Sequence, residues 1–458
     1  MNDRLDRRQF VTAAAGLAAG FNACATASAK NVGQAERSKV PPSERLTTAL
    51  IGCGGMGRAD LRDFLRVPEV RIAAVCDVDT RRWNDALNDI TKADHPTDKI
   101  TKHQDFRQVL DRNDVDAVII ATPDHWHAIQ LILTCQAGKD VYCEKPLAHN
   151  IVEGRAMVNA VRKYKRVVQM GTQQRSGKHF QDAVRFVQSG KLGKIHAVRT
   201  WISEPNNSPD GNGNPPDEPA PKEVDYDMWL GPAPKRPFNP VRFHFHFRWF
   251  WDYGNGLCND WGVHLQDVVL WAMNVDAPTG VCASGGKLVL TDISDTPDTL
   301  EAIFDYPGFT HTYSVRRCCD NAGLRKSRHG IEFHGSNGLL WVNREGCQVL
   351  ADKKDGKDRV TGEKHGTSDQ HWPHVQNFVE CVKTRQKCRS DVACVHRATI
   401  ACHLANISYK VGRKVFWDAE AERCRNWDPK SRRPAGDDKD ANVHLFREPR
   451  KPWGIPTV

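Results

Sequence analysis

The chain has 458 residues, more than one ordinary hydrophobic core accommodates, so we expect two domains with terminal extensions. Its formal net charge is +9 at pH 7, and acidic residues alternate with basic ones along the whole length. No basic stripe of the kind that follows a phosphate backbone is visible, which argues against nucleic acid as a partner.

Residues 1–29 have the composition of an export signal. Basic residues precede an apolar run rich in alanine and glycine, 10–25, and small residues follow it. The pair Arg7 and Arg8 is separated from Phe10 by one residue, which resembles the twin-arginine signal. This signal exports proteins that have already folded. We therefore expect a periplasmic protein. An amphipathic or disordered tail is the alternative, and lipid attachment at Cys24 is disfavoured because the preceding residues fit a lipobox poorly.

The fifteen cysteines would suit a disulfide framework in an exported protein. Their odd number and scattered positions, with Cys318 and Cys319 adjacent, do not resemble such a framework, and folding before export weakens that interpretation further. We predict mostly free, buried thiols. No CxxC pattern suggests zinc, and beyond the signal no apolar run approaches the roughly 20 residues that span a bilayer.

After a polar linker, 30–45, residues 46–175 carry the pattern of a dinucleotide-binding domain. A run of strand length, 46–51, leads directly into a glycine-rich turn and a helical pattern. In this context the first glycine permits a tight turn, the second lets the backbone approach a pyrophosphate, and the third allows close helix packing. The expected cofactor-binding residues of the turn are Gly52, Cys53, Gly54, Gly55, Met56 and Gly57.

A second predicted strand, 71–76, ends at Asp77, about 20 residues after the last glycine of the turn. An acidic side chain there accepts hydrogen bonds from the adenosine ribose and repels a phosphate on that ribose, which favours NAD. Arg81 and Arg82 lie close enough to leave NADP open. The alternative for Asp77 is a surface aspartate in a turn.

The next predicted strand, 116–121, ends in a loop that we expect to line the cofactor cleft. Its expected cofactor-binding residues are Thr122, Pro123 and His125. The pair His125 and His127 would suit a metal ion, but no third ligand is near, so we expect no metal. Alternation of apolar runs with helical patterns predicts a parallel sheet with its ligand site at the strand carboxyl ends.

The apolar run 140–143 is followed by Glu144, Lys145 and Pro146. A lysine between a carboxylate and a proline, where a buried strand opens into a cleft, is suited to handling a proton. We expect Glu144 and Lys145 at the cofactor and Lys145 in catalysis. A structural ion pair between the two is the alternative.

Three motifs together carry a family resemblance: GCGGMG from Gly52, ATPDHWHA from Ala121 and EKP from Glu144. Their order and approximate spacing resemble those of the glucose-fructose oxidoreductase, inositol dehydrogenase and MocA family. The resemblance implies a Rossmann domain that holds NAD or NADP, with Lys145 between the nicotinamide and the substrate. It covers roughly residues 47–418.

The second domain is predicted over residues 176–418, with a loop insertion at 204–240 rich in Pro, Asn, Gly and Asp. Alternating segments after residue 280 predict antiparallel strands. The expected fold is an α/β Rossmann domain with a parallel sheet, followed by an α+β domain with a large, mostly antiparallel open sheet. The resemblance implies that this sheet pairs subunits into a dimer or tetramer. The tail, 419–458, carries no functional signal.

The stretch 243–253 is the most aromatic of the chain, and flat rings beside polar tips suit a carbohydrate. Plain packing is an equally weighted alternative for Phe243, Phe245 and Phe247. The residues we expect in the substrate pocket are Trp251, Asp252 and Tyr253, together with Arg175 at the cleft mouth.

Asp260, His264 and Asp267 are spaced to share one face of a predicted helix. A carboxylate one turn from a histidine orients the ring and raises its affinity for a proton, so we predict His264 as a base oriented by Asp260. The DxGxH pattern is similar to the family's substrate-side motif, which implies a substrate contact for Asp267. A helix-capping aspartate beside an incidental histidine is the alternative.

These residues predict reversible oxidation of a secondary alcohol on a sugar, glycoside or cyclitol, with His264 and Lys145 sharing the hydroxyl proton. Which of the two is the primary base stays open. In an exported protein the nicotinamide must stay bound and be recycled. The family resemblance implies one alternative, an NAD-dependent glycosidase that uses transient oxidation and elimination. A non-catalytic sugar-binding protein is the other.

Overall fold

The computed structural model describes residues 40–41, 44–205, 209–319 and 327–458. The predicted signal, Cys24 and nearly all of the linker lie outside these residues. The described cysteines are all free and most are buried. Within the described ranges no helix combines the length and apolar character of a membrane span, and no cluster of three metal-binding side chains occurs.

The first domain is a six-stranded sheet in the order β3-β2-β1-β4-β5-β6, and all of its strand pairs are parallel. Its strands are β1 (Leu46–Ile51), β2 (Val70–Cys76), β3 (Thr101–His103), β4 (Ala117–Ile120), β5 (Asp140–Cys143) and β6 (Val168–Met170). Its helices are α1 (Gly55–Leu65), α2 (Arg81–Lys92), α3 (Arg107–Leu110), α4 (Asp124–Gln136) and α5 (Ile151–Lys163). Strands β1, β4 and β5 are buried along their whole length, as strands covered on both faces must be.

The order of the strands reverses at β1, which pairs with β2 on one side and β4 on the other. In open α/β sheets a ligand crevice forms at such a reversal, beyond the carboxyl ends of the strands. The topology therefore puts the site where the glycine turn, Asp77 and Lys145 are.

The second domain contains an eleven-stranded sheet in the order β16-β13-β12-β11-β7-β10-β9-β8-β17-β18-β19. Its strands are β7 (Ile195–Ser203), β8 (Gly280–Gly286), β9 (Thr299–Tyr306), β10 (Phe309–Arg316), β11 (His329–Gly335), β12 (Gly338–Asn343), β13 (Gly346–Ala351), β16 (Lys364–Gly366), β17 (Val415–Asp418), β18 (Arg423–Asp428) and β19 (Arg433–Asp437). A separate hairpin consists of β14 (Lys353–Lys354) and β15 (Lys357–Asp358). Among the described strand pairs of this second sheet, only β7 and β10 run parallel. The sheet is therefore mostly antiparallel, and the expected fold class is confirmed.

Helices cover one face of this sheet and join it to the first domain. They are α6 (Lys178–Gln188), α7 (Tyr226–Leu230), α8 (Gly256–Asp260), α9 (Gly262–Met273), α10 (Trp372–Thr384), α11 (Val392–Val411) and α12 (Lys439–Asn442). Three 3₁₀ helices accompany them at Gln173–Ser176, His244–Trp249 and Val443–Leu445. Helix α11 is buried along most of its length because it packs against α9 and β8 of the second domain and α5 of the first.

Two segments contribute more than the sequence indicated. The insertion 204–240 contains α7 and binds back to the end of β2, where the Asp225 amide donates to the Val78 carbonyl at 2.9 Å. The tail 419–458 supplies β18, β19 and α12 and then returns to the first domain, where Gln136 donates to the Thr457 carbonyl at 2.9 Å. The insertion therefore borders the cofactor cleft, which Met228 and Trp229 line, and the tail packs against the first domain.

Candidate active site

A cavity of about 570 Å³ lies at the carboxyl ends of β1, β2, β4 and β5, between the two domains. Most of the predicted cofactor-binding residues line it: Gly52, Gly54, Gly55, Met56, Asp77, Thr122, Pro123, Glu144 and Lys145. The catalytic candidates Asp260 and His264 line it too, although they come from the second domain. The fold thus brings the two halves of the predicted site together.

The glycine turn is shaped by close approaches of the backbone. Gly52 has φ +91°, and a Cβ there would lie 2.6 Å from the Ala121 carbonyl oxygen. A Cβ on Gly57 would lie 1.9 Å from the Gly52 carbonyl oxygen, so neither position accepts a side chain. At Gly54 the same test finds open space, and α1 begins at the next residue with its amide groups available to an anion. The residues present therefore fit a pyrophosphate.

Asp77 lines the cavity and is held by two backbone amides. Its carboxylate accepts from the Cys53 amide at 2.7 Å and from the Asp79 amide at 2.9 Å. Burial raises the pKa of Asp77 to about 6. The side chain of Cys53 is buried, so Cys53 contributes to the turn through its backbone and not by lining the cavity.

His125 does not line the cavity, so this part of the cofactor prediction is wrong. Its Nε2 lies 2.9 Å from the Trp229 carbonyl oxygen, and burial lowers its pKa to about 3. Helix α4 begins at Asp124, so successive side chains point in directions about 100° apart, and it is Trp126 that reaches the cavity.

Lys145 is paired with Asp260. Its Nζ donates to the Asp260 carboxylate and to the Asp260 carbonyl, both at 2.8 Å. Glu144 instead accepts from Gln173 Nε2 at 2.7 Å and from the Lys145 backbone amide at 3.3 Å. An ion pair between Glu144 and the Lys145 ammonium, the alternative from sequence, is therefore wrong.

Asp260 has a second cationic neighbour, Arg248, whose Nε lies 3.3 Å from its carboxylate. Burial alone would raise the pKa of Asp260, but the charges of Lys145 and Arg248 outweigh it and hold this pKa well below its usual range. Asp260 is therefore a permanent anion between two cations.

The prediction that Asp260 orients His264 is wrong. The Asp260 carboxylate pairs with Lys145 and Arg248, and no hydrogen bond joins it to the His264 ring among the described residues. Within the described residues the His264 ring makes no hydrogen bond, and its Nδ1 is buried without a partner. Burial, followed by the charges of Arg344 and Lys145, lowers the pKa of His264 well below its usual range. His264 is therefore a neutral imidazole.

None of the five residues predicted to bind substrate is among the described residues that line the cavity. Arg175 and Asp267 form a buried two-point ion pair with each other at 2.7 and 2.8 Å. Asp252 pairs with Arg236 outside the cavity. These charged side chains are paired within the protein and do not line this cavity.

The two aromatic residues of this prediction are also packing residues. Tyr253 is 0 % exposed, with its ring 4.8 Å from Trp229 and 5.4 Å from His125. Trp251 lies beneath the ammonium of Lys410 at 4.0 Å. The aromatic stretch does reach the cavity, but through its first half, where the 3₁₀ helix presents Phe245, Phe247 and Arg248, among others.

Further cavity residues had no local signal in the sequence. They are Met228, Trp229, Glu204, Arg344 and His371. Arg344 lies in the turn between β12 and β13, and His371 lies directly before α10. Only the packing of the second domain against the first brings these residues to the cleft.

A Rossmann domain whose glycine turn opens into a cavity shared with a second, mostly antiparallel domain defines a two-domain, dinucleotide-dependent class of oxidoreductase. Two family models match the chain: the NAD-binding Rossmann fold of the GFO/IDH/MocA oxidoreductase family at residues 46–172, and the family's C-terminal α/β domain at residues 176–287. The chain belongs to this family, as its motifs predicted, and its first domain is an NAD-binding Rossmann domain.

Curated relatives match a part of the chain. An uncharacterised oxidoreductase of Bacillus subtilis, YrbE, is 28% identical over 166 residues, which are 36% of this chain and 46% of the relative. An alpha-N-acetylgalactosaminidase of Shewanella oneidensis is 27% identical over 213 residues, which are 44% of this chain and 46% of the relative. The chain thus spans about half the length of the curated relatives it matches.

Solved structures share the fold over most of the chain. Levoglucosan dehydrogenase in complex with NADH and levoglucosan has a TM-score of 0.62 at 18% identity and covers 81% of this chain and 99% of its own. Aldose-aldose oxidoreductase from Caulobacter crescentus has a TM-score of 0.61 at 18% identity, with the same coverage of both chains. At this identity the likeness establishes the fold.

Proposed function

We propose that this protein reversibly oxidises a secondary alcohol of a sugar, glycoside or cyclitol with a tightly bound, recycled NAD. One observation carries the proposal: the Lys145 ammonium and the neutral His264 ring, from different domains, line the same cavity as the glycine turn. A donor and an acceptor at one alcohol oxygen are what removal of a hydroxyl proton requires.

The contacts divide the roles of the two residues. An ammonium has three donors, and Lys145 uses two of them on Asp260, so one remains for the substrate oxygen. His264 is uncharged and has no hydrogen-bond partner among the described residues, so it is free to take the hydroxyl proton. The glycine turn and Asp77 would hold NAD, which would supply the hydride acceptor for the carbon that bears this oxygen. His264 is thus the base, and Lys145 orients the oxygen and stabilises its developing charge.

Purified protein tests this directly. Denaturation should release nicotinamide, and incubation of the native protein with a panel of glycosides should produce reduced-cofactor fluorescence. Lys145→Met removes the donor and is expected to lower turnover about 100- to 1,000-fold while the bound NAD remains. The matched control is Lys163→Met, at an exposed helix position away from the cavity. Unchanged turnover in Lys145→Met would remove this residue from the mechanism.

A second candidate is an NAD-dependent glycosidase, which oxidises, eliminates, adds water and reduces again. It is favoured by two curated relatives from Shewanella, one named glycosyl hydrolase family 109 protein 1 and the other alpha-N-acetylgalactosaminidase. Two further cavity carboxyl groups, Asp124 and Glu144, have pKa values that burial raises to about 7, a range suited to proton transfer in an elimination. Release of a free aglycone without net NADH would distinguish this activity from the oxidoreductase.

We further propose that the chain is exported by the twin-arginine route with NAD already in place. The arginine pair in residues 1–29 and the location of the site between two packed domains support loading before export. A compartment without free nicotinamide then requires that each hydride be returned within the same protein. Cell fractionation that finds the chain with an intact amino terminus in the cytoplasm would contradict this.

A homo-oligomer formed through the uncovered face of the large sheet is the proposed assembly. Cross-strand partners Cys282, Ile303, Thr312 and Arg199 form one row on this face. Ile303 is 47% exposed there, whereas the neighbouring row, which contains Phe304 and His311, is buried against the helices. An exposed branched apolar side chain in the middle of a sheet supports its burial by a second subunit.

A further inference from the structure

Arg344 lines the cavity from the turn between β12 and β13. Its guanidinium carbon lies 4.5 Å from the centroid of the Trp261 ring, and its Nε is buried without a hydrogen-bond partner. In the described part of the chain its side chain makes no ion pair. A guanidinium that stacks on an indole ring and has one buried, unpaired nitrogen lacks the anion that normally accompanies it.

The surroundings of Arg344 do not supply that anion. The titratable groups that face it are three histidines, His264, His329 and His371, and the two carboxylates Glu144 and Asp260. Burial lowers the pKa of each histidine, and the charge of Arg344 lowers it further, so all three are neutral near pH 7. Glu144 already accepts from Gln173, and Asp260 lies between Lys145 and Arg248.

Two other arginines of the same domain show how this protein satisfies a buried guanidinium. Arg175 makes a two-point ion pair with Asp267, at 2.7 and 2.8 Å, while it also packs on Trp271 at 5.1 Å. Arg317 packs on Trp249 at 4.0 Å and lies 3.7 Å from Asp292. Arg344 has the same stacking on a tryptophan but no carboxylate, and it alone of these three lines the cavity.

We propose that the carboxylate partner of Arg344 is carried by the substrate, so that the sugar oxidised here is a uronic acid or its glycoside. This inference rests on the proposed function and specifies its substrate class. A planar guanidinium, fixed by the ring of Trp261, matches the planar carboxylate with two parallel hydrogen bonds. Arg344 shares the cavity with Lys145 and His264, so the carboxylate and the reacting alcohol belong to one small ligand.

A carboxylate suits this position better than a phosphate. A phosphoryl group carries about 1.5 to 2 negative charges at pH 7 and is usually bound by several cations. Here one guanidinium is available, because the histidines are neutral and Lys145 and Arg248 are occupied by Asp260. Arg344 is accordingly a specificity-determining residue that binds the acidic group of the substrate.

The test compares sugars that differ only at the acidic group. The NAD-loaded full chain is titrated calorimetrically with methyl glucuronide against methyl glucoside, and with methyl galacturonide against methyl galactoside, with glucose 6-phosphate as a third arm. We expect at least one uronide to bind about 10- to 100-fold more tightly than its neutral partner, the range of a charged hydrogen-bonded pair. This comparison uses the unaltered protein, so it does not depend on the folding of any variant.

Variants then assign the preference to Arg344. Arg344→Gln should bring the ratio of uronide affinity to neutral-glycoside affinity down to about one, and Arg344→Lys should restore part of this ratio. The matched control is Arg66→Gln, since Arg66 packs on Trp372 at 5.0 Å but does not line the cavity. The thermal midpoint and NAD content of each variant show that the fold is retained.

Equal binding of uronides and neutral sugars, or a uronide preference that survives Arg344→Gln, would overturn the inference, as would a preference for glucose 6-phosphate. Uronide binding through Arg344 without NADH formation from any sugar would support this inference and refute the proposed oxidation. Oxidation of neutral glycosides by a protein that does not bind uronides would support the proposed oxidation and refute this inference. The two claims therefore fail separately.

Discussion

Lys145 and Glu144 are neighbours in sequence, yet their side chains serve different parts of the site. The ammonium of Lys145 crosses to Asp260 of the second domain, whereas Glu144 accepts from Gln173 within the first. Lys145 therefore connects the two domains within the cavity, and its position depends on how closely they pack. A lysine so held acts as a fixed donor, which agrees with assigning the base to His264.

The state of His264 sets the expected pH dependence of turnover. Its folded-state pKa is lowered, so the neutral form that accepts a proton is present above that pKa and is lost as the pH falls through it. We predict a kcat/KM that does not fall on account of His264 until the pH is well below the ordinary imidazole range of about 6.5. A pH–rate profile with NAD-loaded protein measures this.

The controls for the pH profile separate His264 from its acidic neighbours. Asp124 and Glu144 titrate near pH 7 in the same cavity, so a limb that survives in His264→Gln belongs to them. His365→Gln, at an exposed position on β16, should leave the whole profile unchanged. An acidic limb near pH 6.5 that disappears only in His264→Gln would contradict the lowered pKa.

At the scale of elements, the junction between α8 and α9 carries two residues of the cavity. Helix α8 ends at Asp260 and α9 begins at Gly262, so Asp260 and His264 belong to successive helices. The Asp260 carboxylate pairs with Lys145, and the His264 ring has no hydrogen-bond partner among the described residues. The sequence pattern predicted both residues at one site, and both line the cavity without the predicted contact between them.

The carboxyl-terminal segment 446–458 is a second element with a consequence for the site. Trp453 packs edge-to-face on Trp126 at 4.7 Å, and Trp126 lines the cofactor cavity. We predict that Trp453→Ala loosens this wall and speeds the release of NAD about 2- to 10-fold, since such a pair contributes about 0.5–1.5 kcal/mol beyond its buried area. The rate of nicotinamide release from purified protein measures this.

The control for the tail is Trp427→Ala. Trp427 stacks on Phe416 at 4.9 Å, but this pair lies on β17 and β18 and does not line the cavity. Its replacement should lower the thermal midpoint without changing NAD release. Equal NAD release from both variants would show that the tail does not support the cofactor site.

At the scale of the whole molecule, the uncovered face of the large sheet bears on assembly. We predict that Ile303→Arg raises the dissociation constant of the proposed oligomer at least about tenfold, because a charge buried without a partner costs several kcal/mol. Light scattering across a dilution series measures the mass. Val152→Arg is the control, since Val152 is 42% exposed on α5 of the other domain. A wild-type monomer at every concentration would rule out the assembly.

Much of the fold and about half of the site followed from sequence because their signals are local. The glycine turn, Asp77 and Lys145 each sit directly after an apolar run of strand length, and parallel strands bring their carboxyl ends to one edge. Neighbours along the chain sufficed to identify these residues, and the family models confirm the NAD-binding domain they belong to.

The partners of these residues were decided by tertiary structure alone. From sequence we predicted that Arg175 and Asp267 bind substrate, but in the structure they form an ion pair with each other. Arg344 had no local sequence signal, and it lines the cavity because the second domain packs against the first. The sequence around a charged side chain does not show whether its partner is another side chain of the protein or a substrate. Packing between distant segments determines which charged side chains are paired within the protein. The charged side chains that are left unpaired can bind a ligand or take part in the reaction.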